Sequence, residues 1–310
     1  MVGVNLRDLA DSALDLTIAP GFSRIGYLAR HGAWDQLPRL DGRTVAVTGV
    51  TGGIGRATAD GLAALGADLV LLVRNTKRGD EIAKELGGNA RVVECDLADL
   101  DSVRAAAAQI DTLHVLVNNA GVLPAERSFS PQGFELTFAT NLLGTFALTE
   151  ALLPVLKAGA PSRIITVSSG GMYSAPLDLE ALKGTTGDFD GVRAYALTKR
   201  AQVVLTHEWA RRLEGTGVTV HSMHPGWVNT GGLQESLPRF SKVAGPILRT
   251  PEQGADTIVW LAAAAEPATT SGEFWHDRRV RTEHRVGKTR ERPGDPERLY
   301  DLCHTLTTES

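Results

Sequence analysis

The stretch Thr44-Val45-Ala46-Val47-Thr48-Gly49-Val50-Thr51-Gly52-Gly53-Ile54-Gly55 decides how this chain folds. Its first five residues are apolar or β-branched and predict a short buried strand. Four of the next seven are glycine, and residues 55–65 continue with apolar side chains at helical spacing. Glycines between a strand and a helix permit a tight turn and let the backbone approach a bulky ligand. The helix that follows offers unpaired N–H groups and the positive end of its dipole, which suit a phosphate.

The pattern repeats outward from this unit. Runs rich in Val, Leu and Ile at 68–73, 90–95, 113–117, 163–167 and 218–221 alternate with helical periodicity at 100–110, 133–156 and 195–213. Such repetition with nearly continuous apolar strands predicts an α/β fold: a single Rossmann-type doubly wound parallel sheet flanked by helices on both faces. In that context Gly49, Thr51, Gly52, Gly53, Ile54 and Gly55 form the expected pyrophosphate turn of a dinucleotide site. An acidic side chain about 20 residues past the glycines would hold a ribose hydroxyl and favour NAD. Arg74 stands there instead, in Leu72-Val73-Arg74-Asn75. A guanidinium pairs with a 2′-phosphate and stacks on adenine, so NADP is favoured and NAD is second. The alternative for Arg74 is a solvated surface side chain. Asp96, followed by Leu97, suits either the adenine amino group or a turn opening the next helix.

Tyr195-Ala196-Leu197-Thr198-Lys199 sets a phenol and an ammonium on one face of a helix. A phenol with a pKa of ~10 is a poor base near neutrality, and a fixed cation beside it favours the phenolate. Tyr195 could then exchange a proton with a substrate oxygen. Ile164-Ile165-Thr166-Val167-Ser168-Ser169 ends a strand in two hydroxyls, either of which could hold that oxygen.

Together these residues resemble the short-chain dehydrogenase/reductase family. The chain carries TGxxxGIG at 48–55, Asn118-Asn119-Ala120-Gly121, Asn141, the serine pair, YxxxK and Pro225-Gly226, all in the family's order over about 42–275. The resemblance is closest to the family's member-twelve subgroup and its retinol-dehydrogenase-like members. It implies a seven-stranded sheet and hydride transfer between NAD(P) and a carbonyl or alcohol. It maps the catalytic set onto Asn141, Ser169, Tyr195 and Lys199, with Ser168 as the fallback serine. Asn141 is expected to position a water beside Lys199. Asn119, Ala120 and Gly121 would line the cofactor, Lys199 would hold its ribose, and Pro225, Gly226, Val228 and Thr230 would surround its amide. The serine-to-tyrosine interval exceeds that of compact members, so residues 172–193 are expected to lie over the substrate pocket. With the apolar Leu233, Leu237, Phe240, Ile247 and Leu248, this suggests a lipid-like small-molecule substrate.

The remaining features are plainer. The 310 residues carry 32 basic and 36 acidic side chains, and a net charge of −4 argues against a nucleic-acid partner. Two cysteines without a CxxC pair exclude a disulfide scaffold and fit a reducing compartment. No apolar run approaches the ~18 residues of a membrane span. Arg7, Asp8, Asp11 and Asp15 interrupt any leader-like stretch, so a cytoplasmic location is expected. His207, His221 and His224 read as structural, and no metal is expected. Residues 1–41 form an N-terminal helical arm preceding the domain at 42–310. Val4, Leu6, Leu9, Ala10, Ala13 and Leu14 recur at helical spacing there, and Phe22, Ile25, Leu28 and Ala29 follow Pro20-Gly21. Packing on its own domain is favoured for the arm over docking on a second subunit or touching a membrane surface, and its removal is expected to spare the core. Residues 276–298 read as a solvated excursion of the 276–310 extension, closed by a helix at 297–306. Two other functions remain open: a non-catalytic nucleotide sensor, which need not keep Ser, Tyr and Lys, and a sugar-nucleotide epimerase or dehydratase, whose glycine spacing differs.

Overall fold

The computed structural model describes residues 11, 14–15, 17–32, 34–87, 89–185, 187–236 and 238–309. Its strands are β1 (Thr44–Thr48), β2 (Asp68–Val73), β3 (Ala90–Glu94), β4 (Val115–Asn118), β5 (Ser162–Val167), β6 (Val218–Met223), β7 (Phe274–His276) and β8 (Arg279–Val280). The helices are α1 (Ile18–Phe22), α2 (Arg24–His31), α3 (Gly53–Ala64), α4 (Thr76–Leu86), α5 (Leu100–Ala107), α6 (Leu136–Ala158) and α7 (Leu179–Leu182). They continue with α8 (Gly191–Arg212), α9 (Gly231–Ser236), α10 (Pro238–Ala244), α11 (Pro251–Ala263) and α12 (Asp295–Thr308).

The strands form one sheet in the order β3-β2-β1-β4-β5-β6-β7-β8. Pairing is parallel up to β7 and antiparallel only between β7 and β8. Val45 of β1 stands opposite Leu69 of β2 on one side and Val115 of β4 on the other. The chain winds outward in both directions from that point, which opens a crevice beyond the carboxyl ends of β1 and β4. Leu62, Ile82, Ile258 and Leu261 cover one face of the sheet, while Val103, Leu142, Phe146 and Trp209 cover the other. The architecture is the doubly wound sheet expected from the sequence.

Eight strands replace the expected seven. The extra one is a two-residue edge strand joined to β7 by Asp277 and Arg278, both in the left-handed region with φ of 51° and 55°. Two such residues make the tight hairpin turn whose twist suits the flanking strands. The sequence lacks the Asn-Gly pair that usually announces this turn. A second departure concerns α6, which is long and apolar enough to cross a membrane, with a mean hydropathy of 1.3. Glu150 and Pro154 interrupt its apolar run. Two-thirds of its most apolar window (67%) is buried inside the protein, so its hydrophobicity serves the core.

The arm and the C-terminal extension meet. Val4, Leu6, Leu9, Ala10 and Ala13 lie outside the described residues, but Asp11 and the segment from Thr17 onward do not. Phe22 is 3% exposed and packs against Tyr173, His224, Trp227 and His276. Arg30 pairs with Asp11 and Asp277, Arg249 with Asp277, and Arg281 with Asp11, all of them buried. Residues 276–298 are solvated only in part: His276, Asp277, Arg281, Thr289 and Asp295 are buried, while residues 286–288 and 292–294 are exposed. The arm's carboxylates and carbonyls supply the partners that make this burial tolerable. Removing the arm would take Arg30 from Asp277 and the Gly21 and Ser23 carbonyls from Arg249, while the Asp277–Arg249 pair itself would remain.

Burial alone would raise the Asp277 carboxyl, but the charges of His276, Arg249 and Arg30 hold it well below the usual carboxylate range. Its stabilising contribution is therefore complete above the unfolded-state pKa of ~4 and fades as pH falls below it. Asp277→Asn should destabilise the protein by about 3–5 kcal/mol at pH 7, the usual effect of breaking a buried pair from one side. Urea unfolding at pH 7 and at pH 3.5 or below should show that difference narrowing in acid.

Candidate active site

β1 and β4 end side by side, and the turns leaving them touch. Thr48 Oγ1 accepts from the N–H groups of Asn119 and Ala120, both at 2.9 Å, while the Asn119 amide donates to Thr48 O at 2.9 Å. Gly49 has φ of +73°, and a Cβ there would stand 2.9 Å from Ala120 Cα. A Cβ on Gly55 would stand 2.1 Å from Gly49 O, so the turn closes only with glycine at both places. Gly52 differs: a Cβ there would meet nothing within 4 Å and would point into open space. Helix α3 begins directly after it with no side-chain cap. That uncapped N-terminus above an open glycine cradle fits a pyrophosphate.

One cavity of about 990 Å³ occupies the crevice. Its walls include all the cofactor residues expected from the sequence: Gly49, Thr51, Gly52, Gly53, Ile54, Gly55, Arg74, Asp96, Leu97, Asn119, Ala120, Gly121, Pro225, Gly226, Val228 and Thr230. Arg74 is exposed at the end of β2. Asp96 both lines the cavity and turns the chain, accepting from Ala98 N at 2.9 Å.

Ser169, Tyr195 and Lys199 line the same cavity. Helix α8, opened by Asp190 accepting from Arg193 N, carries the phenol and the ammonium. Lys199 Nζ lies 5.4 Å from the Tyr195 ring centroid. Ser168 lines the cavity as well, and the two serines differ in their partners. Ser168 is 2% exposed and donates to Lys199 O at 2.8 Å, while Ser169 Oγ accepts from Gly171 N at 3.2 Å. Burial pushes the Tyr195 phenol above its ordinary value, and the neighbouring Ser169 hydroxyl pulls it back in part. Burial also brings Lys199 down to about 7. A lysine only partly protonated near neutrality does not lower the phenol as a fixed cation would.

The side chain and the main chain of Asn141 have different surroundings. Asn141 is fully buried at a π-helical turn of α6, Ala139–Gly144, and its side chain does not reach the cavity. Its Oδ1 accepts from Val122 N at 2.8 Å, and its Nδ2 donates to Val122 O at 3.0 Å and Thr198 Oγ1 at 3.2 Å. Both N–H groups of that amide are thus committed to protein partners, and its oxygen already accepts one bond. The long serine-to-tyrosine segment splits in two. Met172, Tyr173, Ala175 and Leu182 join the core, while Ser174 and Val192 line the cavity. Of the five apolar residues expected at the substrate end, Leu233 lines it and Ile247 and Leu248 do not. Leu237 and the side chain of Phe240 lie outside the described residues.

Fold and site together define a nucleotide-dependent oxidoreductase of the short-chain type. A family model described as short chain dehydrogenase matches residues 43–239. Dehydrogenase/reductase SDR family member 12 of Bos taurus is 39% identical over 280 residues, covering 86% of this chain and 87% of that protein. Human retinol dehydrogenase 13 is 38% identical over 265 residues, 79% of each. Among solved structures, an uncharacterised protein from Mycobacterium paratuberculosis matches with a TM-score of 0.74 and 30% identity over 88% of this chain and 96% of its own. A Beutenbergia cavernae protein assigned as an NAD(P)-dependent gluconate 5-dehydrogenase, with NADP bound at low occupancy, matches with a TM-score of 0.64 and 30% identity. Those shares are 77% of this chain and 96% of that one. The chain belongs to the short-chain dehydrogenase/reductase family and is an NAD(P)-dependent oxidoreductase. Neither the nucleotide-sensor nor the epimerase alternative is favoured.

Sequence reasoning did not single out Thr198 or Gln202; Gln202 lies three residues from Lys199 and four from Thr198, a spacing that places neighbours on one helix face. His221 is a satisfied structural residue, held between Trp275 Nε1 at 3.0 Å and Pro267 O at 2.7 Å. The serine geometry predicts two different losses. Ser169→Ala should lower NAD(P)-dependent turnover by about 10²-fold, as loss of a donor to a reacting oxygen does. Ser168→Ala should leave turnover near the parental value and cost about 1 kcal/mol of stability. Steady-state kinetics with thermal unfolding on both variants separates the two.

Proposed function

We propose that the protein uses NADP(H) to interconvert an uncharged, largely apolar alcohol and its carbonyl. The observation carrying the cofactor half is Arg74, which lines the cavity at the end of β2 with no carboxylate beside it in Val73-Arg74-Asn75. The nicotinamide, when bound, supplies or accepts the hydride. Tyr195 exchanges a proton with the substrate oxygen, Ser169 holds that oxygen, and Lys199 holds the ribose.

The substrate half rests on the wall beyond Tyr195. Leu123, Val192, Trp227 and Leu233 line it, and no charged side chain stands among them. Its hydroxyl protons are paired: Ser174 donates to Gly171 O at 2.8 Å and Ser236 to Leu123 O at 2.9 Å. A wall whose polar atoms are already paired offers an incoming molecule mainly apolar contact. Residence in the cytoplasm belongs to the same proposal. Its support is the pair of buried free thiols, Cys95 and Cys303, neither of which needs an oxidising compartment.

NADPH should bind more tightly than NADH, and Arg74→Asp should reverse that order by repelling the 2′-phosphate. Fluorescence titration of both nucleotides tests this, and equal affinities in the parent would end the NADP assignment. Tyr195→Phe keeps the ring and removes the proton, so NADPH affinity should persist while reduction of an apolar carbonyl panel falls about 10²–10⁴-fold. Near-parental turnover in that variant would place the acid elsewhere.

A further inference from the structure

We propose that Gln202 is a positioning residue, whose side-chain amide ties the Lys199 ammonium to the main-chain carbonyl of Asn141. It thereby does directly what a water held by Asn141 was expected to do, and the proposal rests on Lys199 being the ribose-binding cation. Lys199 Nζ donates to Gln202 Oε1 at 3.0 Å, and Gln202 Nε2 donates to Asn141 O at 2.6 Å. Gln202 is 1% exposed, Lys199 3% and Asn141 0%. No gap remains along this line for a water, because the amide spans it.

The chemistry of the partners fixes the orientation of that amide. An ammonium only donates and a carbonyl only accepts, so Oε1 must face Lys199 and Nε2 must face Asn141. A primary amide is suited to join a pure donor to a pure acceptor. A carboxylate would repel the Asn141 carbonyl, and an apolar side chain would leave both groups buried and short of a partner. The π-helical turn of α6 matters here, since it includes Asn141, whose carbonyl oxygen meets α8. Val167 O accepts a second Lys199 proton at 2.8 Å, leaving the third for the cavity that Lys199 lines. Two fixed hydrogen bonds behind the ammonium thus aim the remaining one.

The surroundings of Lys199 are otherwise neutral. On α8 it faces Tyr195, on β5 Val167, and on the turn after β4 it faces Gly121, where a Cβ would sit 3.5 Å from Nζ. Among the described residues no carboxylate or second cation is resolved as acting on it, and burial alone brings it down to about 7. The Gln202 oxygen is therefore the side-chain acceptor that sustains its charged form. Removing that oxygen should lower the lysine further, and replacing it with a carboxylate should raise it.

The test reads Lys199 itself, in cofactor-free protein labelled at the lysine ε position with ¹³C, titrated by NMR. Lys199→Arg identifies the resonance. Gln202→Leu, or Gln202→Met as the longer removal variant, should shift the midpoint down by about one pH unit, the size of a lost hydrogen bond to a charged group. Gln202→Glu should shift it up by at least as much. NADPH titration should show the removal variants binding about tenfold more weakly at pH 7.5. A purely structural role would lower thermal stability without moving the midpoint in opposite directions. An unchanged midpoint, or shifts of the same sign in Met and Glu variants, overturns the proposal. The NMR readout needs neither cofactor nor substrate, so its failure is distinguishable from failure of the NADP assignment, which shows in parental NADPH titration.

Discussion

The bond network at Thr48 holds the two halves of the site in register. One hydroxyl accepts two N–H groups from the turn after β4, and the Asn119 amide returns to the carbonyl of the same residue. The glycine turn after β1 and the loop toward α6 therefore move as one piece. From that junction the constraint passes on without a break. Gly121 lets the chain pass close to Asn141 and Lys199, Val122 is clamped by the Asn141 amide, and Asn141 bonds Thr198 on α8. Glycines at 49 and 121 serve one purpose, which is letting backbone approach where a Cβ would hold it away.

Most of the fold was legible because period and punctuation agreed. The strand at 44–48, its glycine turn and the helix behind it repeat a local rule that tertiary context did not override. The motif residues were equally plain, and nearly all of them converge on one cavity. What escaped was of three physical kinds. Asn141 was placed correctly on its helix, but hydrogen-bond capacity decides what its amide can do, and sequence does not show which partners will use that capacity. The turn at Asp277-Arg278 forms without glycine because surrounding arginines and Asp256 hold it from outside. Residues 276–298 look solvated by composition, and only their pairing with a segment some 250 positions earlier explains why some of them are buried.

That pairing reaches the site. Arg249 donates to Gly21 O and Ser23 O of the arm, to Pro225 O, and to Asp277. Phe22 O accepts from Trp227 N at 2.8 Å. A Cβ on Gly226 would fall 2.6 Å from both Arg249 Nε and Phe22 O, so the Pro225-Gly226 turn is moulded against the arm rather than against solvent. The Pro225–Trp227 turn that lines the cavity is thus backed by the chain's first described segment and its C-terminal extension, which pair through buried charges. Buried charge pairs add little net stability but penalise misplacement strongly. Their effect here is to fix the position of a loop that lines the cavity.

The same reasoning explains why the central cation has a neutral neighbour. A carboxylate beside Lys199 would hold it permanently charged and would draw its protons inward, away from the cavity. A neutral amide with a neutral carbonyl satisfies two of its protons and leaves burial to set the charge balance near neutrality. An ammonium so balanced gains most from whatever acceptor enters the cavity, because its charged form has little other compensation. Binding a polyhydroxyl, anionic partner and charging the lysine then become linked events. The phenol is raised by burial, and a lysine only partly charged near neutrality does little to lower it. Acid–base readiness is in this way confined to the loaded site, by a constraint that begins with the choice of an amide at position 202.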